Sequence, residues 1–192
     1  MGSSQADKAA SHERIVTAAS RTIRRDGVDH VSVAELMNQA GLTHGGFYRH
    51  FESRDDLVAE AIDAALAHGS RRVRQASELG GPQALEAIID GYLSRLHRDK
   101  AETGCAVAAL PTDVARCGRR ARAAYSRQVG GYIEMLTELT PGRDPDHAHL
   151  ILAALVGALL LARAVDDRAL SDEILERSTS ALHRYVENGQ EV

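Results

Sequence analysis

The sequence predicts an all-α fold of about nine helices. Apolar residues recur at helical spacing along most of the chain, and no stretch of useful length alternates Val, Ile and Thr as a half-buried strand does. Hydrophobic residues make up 44% of the chain, but aromatic residues only 4%, and there is no tryptophan. The core must therefore be built mainly from Ala, Leu, Val and Ile, which favours closely packed helices over a sheet.

The first helix is expected over residues 11–26. Ile15, Ala19 and Ile23 fall on one face of it, and Gly27 stands where a helix C-cap is expected. Residues 1–11 are polar and are expected to be disordered. They contain no apolar run of the kind found in a signal peptide, so the sequence predicts a cytoplasmic protein.

Residues 32–57 predict two short helices joined by a tight turn, followed by the start of a third helix. Ser32 can cap the first of these helices, with Glu35 three residues later completing a capping box. Gly41 ends it, because glycine tolerates positive φ. Thr43 can cap the second, and a further capping box starts at Ser53. This is the helix-turn-helix plan, in which the second helix enters the major groove of DNA.

The composition of the second short helix also indicates DNA binding. Hydroxyl, imidazole and guanidinium groups are the ones that reach phosphates and base edges. Two adjacent glycines disfavour a helix by about 1 kcal/mol each, so we expect them to allow a close approach of the backbone to the groove. Arg54 places a positive charge in the first turn of the following helix, where the helix dipole makes it unfavourable. A nearby phosphate would explain a cation at this position. The predicted DNA-contacting residues are Ser32, Thr43, His44, Gly45, Gly46, Tyr48, Arg49, His50 and Arg54.

Net charge argues for few phosphate contacts. The chain carries −4 overall, and residues 1–57 hold seven Lys and Arg residues against eight Asp and Glu residues. Neither the chain nor this segment is basic, so we expect backbone amides and hydroxyls to share the contacts with a few cations.

Residues 32–57 resemble the DNA-binding domain of the TetR/AcrR family of bacterial transcriptional regulators. The resemblance rests on the AGLT turn at 40–43, the FYRHF run at 47–51 and the SRDDL helix start at 53–57, and it extends back over 12–31. Met37 stands where the family usually has alanine, and Arg54 where it usually has lysine. The resemblance implies a helix-turn-helix domain at 12–56, a ligand-binding and dimerisation domain at 57–192, operator DNA as partner, and a homodimer.

The remaining helices are predicted from the spacing of apolar residues and from residues that break a helix. The fourth helix is expected from about residue 54 into the arginines at 71–74, and the GGP sequence at 80–82 then breaks the chain. Later helices are expected near 82–98, 105–116, 125–136, 146–165 and 171–188. The resemblance implies the same all-α plan.

A small-molecule site is expected among the helices after residue 82. Tyrosines and one glutamine among small aliphatic residues suit a largely apolar effector, because ligand cavities combine apolar walls with a few polar groups. The alternative is that these tyrosines only fill the core. The candidate ligand-binding residues are Tyr92, Leu96, Cys105, Ala108, Tyr125, Gln128, Val129 and Tyr132.

The helix at 146–165 is apolar on nearly every face, and such a helix must be buried all round. A second subunit can bury it, as the family resemblance implies, or it can be the central helix of a monomer. The longest apolar run, 150–162, is too short to span a membrane, so no membrane partner is expected. The candidate interface residues are Ala154, Gly157, Ala158, Leu161 and Leu182.

The expected function is a DNA-binding regulator, a repressor released by a small molecule. Cys105 opens a predicted helix, where a thiol pKa can be lowered, so a thiol or electrophile sensor is the alternative. An enzyme or ligand carrier on the same frame is a further alternative, but the sequence has no nucleophile elbow, P-loop or dinucleotide fingerprint. His147 and His149 are two residues apart and do not share a helix face, so neither metal nor cofactor is expected.

Overall fold

The computed structural model describes residues 5–142, 144 and 146–188, without the side chains of His44, Asn188 and residues 68–72. Within these residues there are ten α-helices, three short 3-10 helices and no strand, which confirms the all-α prediction. The α-helices are α1 Gln5–Asp26, α2 Val33–Gln39, α3 Arg54–Ser77, α4 Gly81–Tyr92, α5 Arg95–Asp99, α6 Ala106–Ala109, α7 Pro111–Arg116, α8 Arg119–Leu139, α9 Asp146–Ala164 and α10 Arg168–Asn188. The 3-10 helices are Val28–His30, His44–Arg49 and Ala101–Thr103.

Helix α1 starts earlier than the sequence analysis expected. It begins at Gln5, so the expectation of disorder was wrong for residues 5–11, while residues 1–4 lie outside the described residues. Asp7 in the first turn is favourable, because a carboxylate there complements the positive end of the helix dipole. The helix packs along α3, and Ile15 and Leu57 are both fully buried in the shared core.

The predicted helix ends are confirmed at α2 and α3 but not at the second short helix. The Ser32 hydroxyl accepts a hydrogen bond from the Glu35 amide at 3.4 Å, and the Ser53 hydroxyl accepts one from the Asp56 amide at 3.1 Å. Gly27 and Gly41 both have positive φ, 90° and 72°. Thr43 precedes His44–Arg49 in an extended conformation, but its side chain makes no capping hydrogen bond.

Helix α3 is one continuous helix of 24 residues. It packs against α1 near its start and also contacts α4, α6 and α8. The predicted domain boundary between residues 56 and 57 falls in its first turn. The DNA-binding region and the rest of the chain are therefore joined by a helix rather than by a flexible linker.

Two predicted helices are each divided in the structure. The helix expected at 105–116 is broken into α6 and α7 at Pro111, which has no amide hydrogen and so cannot continue the preceding hydrogen-bond pattern. Helix α4 ends at Tyr92, and the Ser94 hydroxyl then caps α5 by accepting from the His97 amide at 3.1 Å. This break places Leu96 on the surface, where it is 57% exposed.

Helix α9 has a large apolar surface that the subunit itself leaves uncovered. It is the one described helix that is long and apolar enough to cross a membrane, with 33% of its most apolar window buried. The helix extends past the apolar run 150–162 to 19 residues, so its length alone does not exclude a span, but a core helix of a protein outside the membrane has the same length and composition. Leu150, Leu160 and Leu161 on α9 and Leu170 on α10 are all exposed.

Candidate DNA-binding site and ligand cavity

The 3-10 helix His44–Arg49, here called the recognition helix, presents its polar residues outward. Phe47 anchors it, being 3% exposed and stacked on Phe51 with ring centroids 5.4 Å apart. Tyr48 is 74% exposed, and Arg49 is also exposed. A buried aromatic anchor thus fixes the segment while its neighbours remain free to meet a partner.

The two glycines of the recognition helix have different surroundings. A Cβ at Gly46 would lie 3.4 Å from Cε of Met37, in ordinary van der Waals contact with the end of a flexible side chain. A Cβ at Gly45 would meet nothing within 4 Å. Nothing in the described subunit explains the glycine at 45, which remains consistent with the predicted close approach to DNA.

His50 lies directly behind the recognition helix rather than fully on its surface. Its ring is 6.0 Å from that of His12, and its Nδ1 is buried without a hydrogen-bond partner. Burial lowers the pKa of His50, and the positive charges of His12, Lys8 and Arg49 lower it further. Both effects disfavour the charged imidazolium, which suits packing better than binding a phosphate.

Arg54 is held by backbone carbonyls. Its Nη2 donates to the Val28 carbonyl at 2.7 Å, and its Nε donates to the Val31 carbonyl at 3.2 Å. These bonds tie the start of α3 to the segment between α1 and α2. They explain a cation at this helix start without a phosphate, so a DNA contact by Arg54 stays a prediction.

Ser32 and Thr43 are exposed at the starts of α2 and of the recognition helix. They lie beside Tyr48 and Arg49 in the same helix-turn-helix unit. The side chain of His44 lies outside the described residues. The structure thus brings most of the predicted DNA-contacting set to one unit, with His50 and Arg54 in supporting positions.

Three of the predicted ligand-binding residues form a buried polar cluster. The Cys105 thiol and the Tyr132 hydroxyl are 3.8 Å apart, and both residues are at least nine-tenths buried. The Tyr92 hydroxyl is buried and has no hydrogen-bond partner of good geometry. Burial, followed by the proximity of Cys105, raises the pKa of Tyr92 and of Tyr132 well above the usual tyrosine value.

His97 and Arg163 complete this cluster, and the sequence analysis missed both. Nε2 of His97 accepts from the Cys105 amide at 2.8 Å, and Nδ1 lies 2.7 Å from the Tyr92 carbonyl. These partners require a neutral ring with its proton on Nδ1. Arg163 donates to the His97 carbonyl at 2.6 Å. The only sequence feature that pointed to this cluster was Arg163 itself, an arginine that follows the apolar run 150–162.

Gly104 fits closely between these two side chains. A Cβ there would lie 2.9 Å from both the Arg163 guanidinium and the His97 ring. Any other residue would force the cluster apart, so glycine is required immediately before Cys105.

Two adjoining spaces lie beside the cluster, an inner one among α3, α4, α8 and α9 and an outer one between α3 and α8. The inner space has a volume of about 10 Å³ and the outer one about 190 Å³. The inner space is lined by Val73, Ile88, Tyr92, Tyr132, Met135, Leu136, Leu152 and Leu155. The outer space is lined by Arg74, Ser77, Arg127, Gln128, Gly131, Tyr132 and Met135.

The remaining ligand-binding candidates do not line these spaces. Tyr125 donates to the Val107 carbonyl at 2.7 Å, and burial raises its pKa to about 12. Ala108 is fully buried and Val129 half-buried. Leu96 is on the surface, so its predicted place in a cavity is contradicted by the break after α4.

The predicted interface residues divide into two groups. Leu161 is 59% exposed, and a Cβ at Gly157 would meet nothing within 4 Å. Ala154 is half-buried. Ala158 and Leu182 are 7% and 6% exposed, so they belong to the subunit's own core, where α9 and α10 pack together.

The fold and the exposed helix-turn-helix face define a DNA-binding transcriptional regulator, and comparison with known proteins agrees. Residues 15–61 match the family model described as bacterial regulatory proteins, tetR family. An HTH-type transcriptional regulator of Mycobacterium tuberculosis strain H37Rv is 30% identical over 167 residues, 81% of this chain and 85% of the relative. The chain therefore belongs to the TetR family of bacterial regulatory proteins.

Two further similarities concern half of the chain and the overall fold. The HTH-type transcriptional repressor BepR of Brucella suis is 27% identical over 96 residues, 50% of this chain and 46% of BepR. The crystal structure of a TetR transcriptional regulator from Chloroflexus aurantiacus superposes with a TM-score of 0.77 at 23% identity, covering 95% of this chain and 97% of that one. This second likeness extends the shared fold over nearly the whole chain.

Proposed function

We propose that this protein is a cytoplasmic homodimeric repressor that binds a pseudo-palindromic operator and is released by a small-molecule ligand. The observation that carries the proposal is the exposed polar face of the recognition helix, fixed from behind by Phe47 in a TetR-type domain. The repressor role is also supported by the name of the Brucella relative. The protein acts by binding, not by catalysis.

Tyr48 and Arg49 make the principal contacts to DNA. Both are exposed, and they directly follow the buried anchor Phe47 along the recognition helix. A guanidinium reads guanine edges or binds phosphate, and a phenol hydroxyl donates to phosphate oxygens. Thr43, Ser32 and the backbone at Gly45 add contacts without positive charge, which agrees with the lack of a basic N-terminal segment.

The exposed apolar faces of α9 and α10 form the dimer interface. Leu150, Leu161 and Leu170 are large apolar residues without cover in the subunit, and open space at Gly157 lets a partner helix approach closely. A twofold dimer places its two recognition helices about 34–36 Å apart, one turn of DNA. A single half-site would give only half of the contacts.

Ligand binding shifts the protein towards a conformation that no longer fits adjacent grooves. Helix α3 is the element common to both sites, since Val73 and Arg74 line the two spaces and Arg54 anchors the DNA-binding region. A ligand changes operator affinity only by the ratio of its affinities for the two conformations. Hundredfold release requires about 2.7 kcal/mol of coupling.

A thiol sensor at Cys105 is not favoured by the structure. The residue is 3% exposed, and its amide is bonded to His97. Reactive cysteines are usually accessible to the oxidant or electrophile. The second cysteine, Cys117, lies in a separate cleft near α3.

Operator binding is tested by fluorescence anisotropy with duplexes from the DNA flanking the gene, titrated over a range of salt concentrations. We expect one duplex to bind as a dimer complex, with log affinity falling by about 0.9 per phosphate contact for each unit of log salt. A scrambled duplex of equal length is the control. Equal affinity for every duplex, or a salt slope near zero, would contradict the proposal.

A further inference from the structure

We propose that His97 is a proton-sensitive latch, which in its neutral form holds the start of α6 in place and on protonation releases it, so that acid weakens operator binding. This inference rests on the proposed function, because it adds a second signal to the same repressor. The latch consists of His97, Gly104, Cys105 and Arg163, which link α5, the start of α6 and α9. It responds to a proton and needs no cavity.

The partners of the His97 ring permit only one protonation state. Its Nε2 accepts a hydrogen bond from the Cys105 amide at 2.8 Å, and its Nδ1 lies 2.7 Å from the Tyr92 carbonyl. An amide N–H can only donate and a carbonyl can only accept, so the ring carries its single proton on Nδ1. A second proton, on Nε2, would point at the Cys105 N–H and replace the hydrogen bond by a repulsive contact between two donors.

Burial makes this hydrogen bond difficult to replace. His97 is 7% exposed and Cys105 is 3% exposed. A buried donor that loses its partner costs the full desolvation penalty of that group. A protonated ring is therefore compatible with this segment only when the segment opens and water reaches both donors.

Arg163 opposes a second positive charge at the ring. Its guanidinium donates to the His97 carbonyl at 2.6 Å, and a Cβ at Gly104 would lie 2.9 Å from both the guanidinium and the ring. Burial lowers the pKa of Arg163, an effect that the charge of Glu102 partly offsets, but a guanidinium keeps its charge in proteins. Protonated His97 would place two cations side by side.

The other ionisable groups around the latch lie on α4, α5, α8 and α10 and at the start of α6: Tyr92, Arg98, Asp99, Tyr132, Asp172 and Cys105. The Tyr92 ring meets the His97 ring edge to face, with centroids 4.8 Å apart. Burial raises the pKa of both tyrosines, so their hydroxyls are uncharged near neutral pH. Both carboxylates are ion-paired with Arg98, so neither is a free partner for a protonated His97.

The segment that the latch holds touches the DNA-binding region. The 3-10 helix Ala101–Thr103 packs against α1, and α6 contacts both α1 and α3. Under the proposed function, the protein without ligand has the arrangement that binds the operator. Opening of the segment removes a support of α1 and so lowers the population of that arrangement.

The direction of the pH effect follows from proton linkage. The closed segment excludes the second proton, whereas a histidine exposed to water takes one up as pH falls below about 6.5. Acid therefore stabilises the open form, by about tenfold in the ratio of open to closed protein at one pH unit below that value. The closed form is fully favoured above pH 6.5.

Nuclear magnetic resonance tests the latch in the full-length protein without DNA. Histidine labelled with ¹⁵N reports the tautomer, and the His97 signals are identified by their absence in His97→Gln. We expect the Nδ1–H tautomer at pH 7.5 and loss of the closed-state signals as the pH falls towards 5.5. A proton on Nε2 at pH 7.5, or unchanged His97 signals at pH 5.5, would overturn the proposal.

Arg163→Gln sharpens this measurement. The amide can still donate to a carbonyl, but the positive charge beside the ring is gone. The pH at which the closed-state signals are lost should rise by about one unit. An unchanged transition would show that Arg163 has only a packing role and would contradict the latch, and this test does not depend on the folding of the His97 variant.

The effect on DNA is measured by fluorescence anisotropy with the operator duplex at pH 7.5 and 5.5. Wild-type affinity should fall by about threefold to tenfold. The fall should be absent in His97→Gln, whose amide oxygen can accept from the Cys105 amide at either pH. His183→Gln is the matched control and should keep the wild-type fall, since His183 lies 2.8 Å from Asp90 and gains a partner when protonated.

The outcomes separate this inference from the proposed function. An equal fall in folded His97→Gln, or no fall in the wild-type protein, would overturn acid control of the repressor while leaving operator binding intact. A protein that binds no operator at either pH would contradict the proposed function, and the tautomer and its pH transition would still decide whether His97 is a latch.

Discussion

The two ends of helix α3 serve regions that build their sites in opposite ways. Near Arg54, the DNA-binding region places its chemistry on the surface, on a recognition helix of six residues with a buried anchor behind it. Near Val73, the proposed ligand-binding region has its candidate site in the interior, where α3, α4, α8 and α9 all contribute to one wall. The first site is local in sequence, and the second exists only after distant helices have packed.

Because of this difference, the two regions are expected to respond differently to substitutions. A surface site tolerates substitution of its contacting residues without loss of the fold, because those residues have few neighbours. An interior site shares its residues with the core, as Tyr92 and Tyr132 do, so substitutions there change stability and binding together.

The largest effect is expected from Gly157→Leu, which tests whether the exposed face of α9 forms the dimer interface. A side chain at this position has open space in the subunit, so the variant should fold, but the added isobutyl group should block close approach of a partner helix. Loss of the dimer should weaken operator binding by about a hundredfold or more, since bivalent binding is lost. Analytical ultracentrifugation and anisotropy measure the two effects.

The control for this prediction is Gly130→Leu, on α8, where an added side chain also meets nothing within 4 Å. It should leave the dimer and the operator complex unchanged. A folded Gly157→Leu protein that sediments as a normal dimer would remove this part of α9 from the interface.

The next largest effect is expected from Arg49→Ala, which tests the surface site. Loss of a guanidinium contact to a base edge costs about 1–3 kcal/mol of discrimination, which is roughly tenfold to a hundredfold. The ratio of operator to scrambled-duplex affinity measures it. Arg122→Ala, also an exposed arginine, is the control, and an unchanged ratio for Arg49→Ala would exclude a base contact by Arg49.

Arg54→Ala should act on stability rather than on DNA contacts. The substitution removes the hydrogen bonds that the Arg54 guanidinium donates to the Val28 and Val31 carbonyls. A hydrogen bond to a charged group contributes about 1.5–3 kcal/mol to stability. Since Arg54 is partly exposed and water can replace part of this, we expect a loss of about 1–2 kcal/mol in denaturant unfolding. Unchanged stability with a reduced salt slope of operator binding would instead make Arg54 a phosphate ligand.

The smallest effect is expected from the pH dependence of His50. Its folded-state pKa is lowered by burial and by nearby positive charge, below the ordinary value of 6.5. The stability that it contributes is therefore complete above pH 6.5 and is lost as pH falls through the lower folded-state pKa. His50→Phe should reduce the fall in melting temperature between pH 7.5 and 5.5, whereas His30→Gln, at an exposed site, should not.

The sequence predicted the surface region well because its signals are local. Ser32, Ser53, Gly27 and Gly41 act within a few residues of themselves, and each adopts the predicted cap or turn. The same reasoning missed the role of Arg54, whose carbonyl partners lie more than 20 residues away. Thr43 has the right residue type for a cap but makes no capping bond.

The interior region was harder to predict because its contacts are tertiary. Periodicity placed Leu96 on the inner face of a single long helix, but the chain breaks at Ser94 and turns that leucine outward. No pattern in the sequence joins His97, Gly104 and Arg163, whose association depends on the packing of α5 against α9. Periodicity also could not separate the core face of α9, with Ala158, from its outer face, with Leu161.

The length of helix α3 determines how far a tilt at one end displaces the other end. At a rise of 1.5 Å per residue, its 24 residues extend about 36 Å, which is close to the spacing of two successive major grooves. A tilt of about 5° pivoting at the cavity end would displace the Arg54 end by about 3 Å, comparable with the rise of one base pair. In the proposed dimer, equal tilts in two symmetry-related subunits would add, so a tilt of this size would put one recognition helix out of phase with the other.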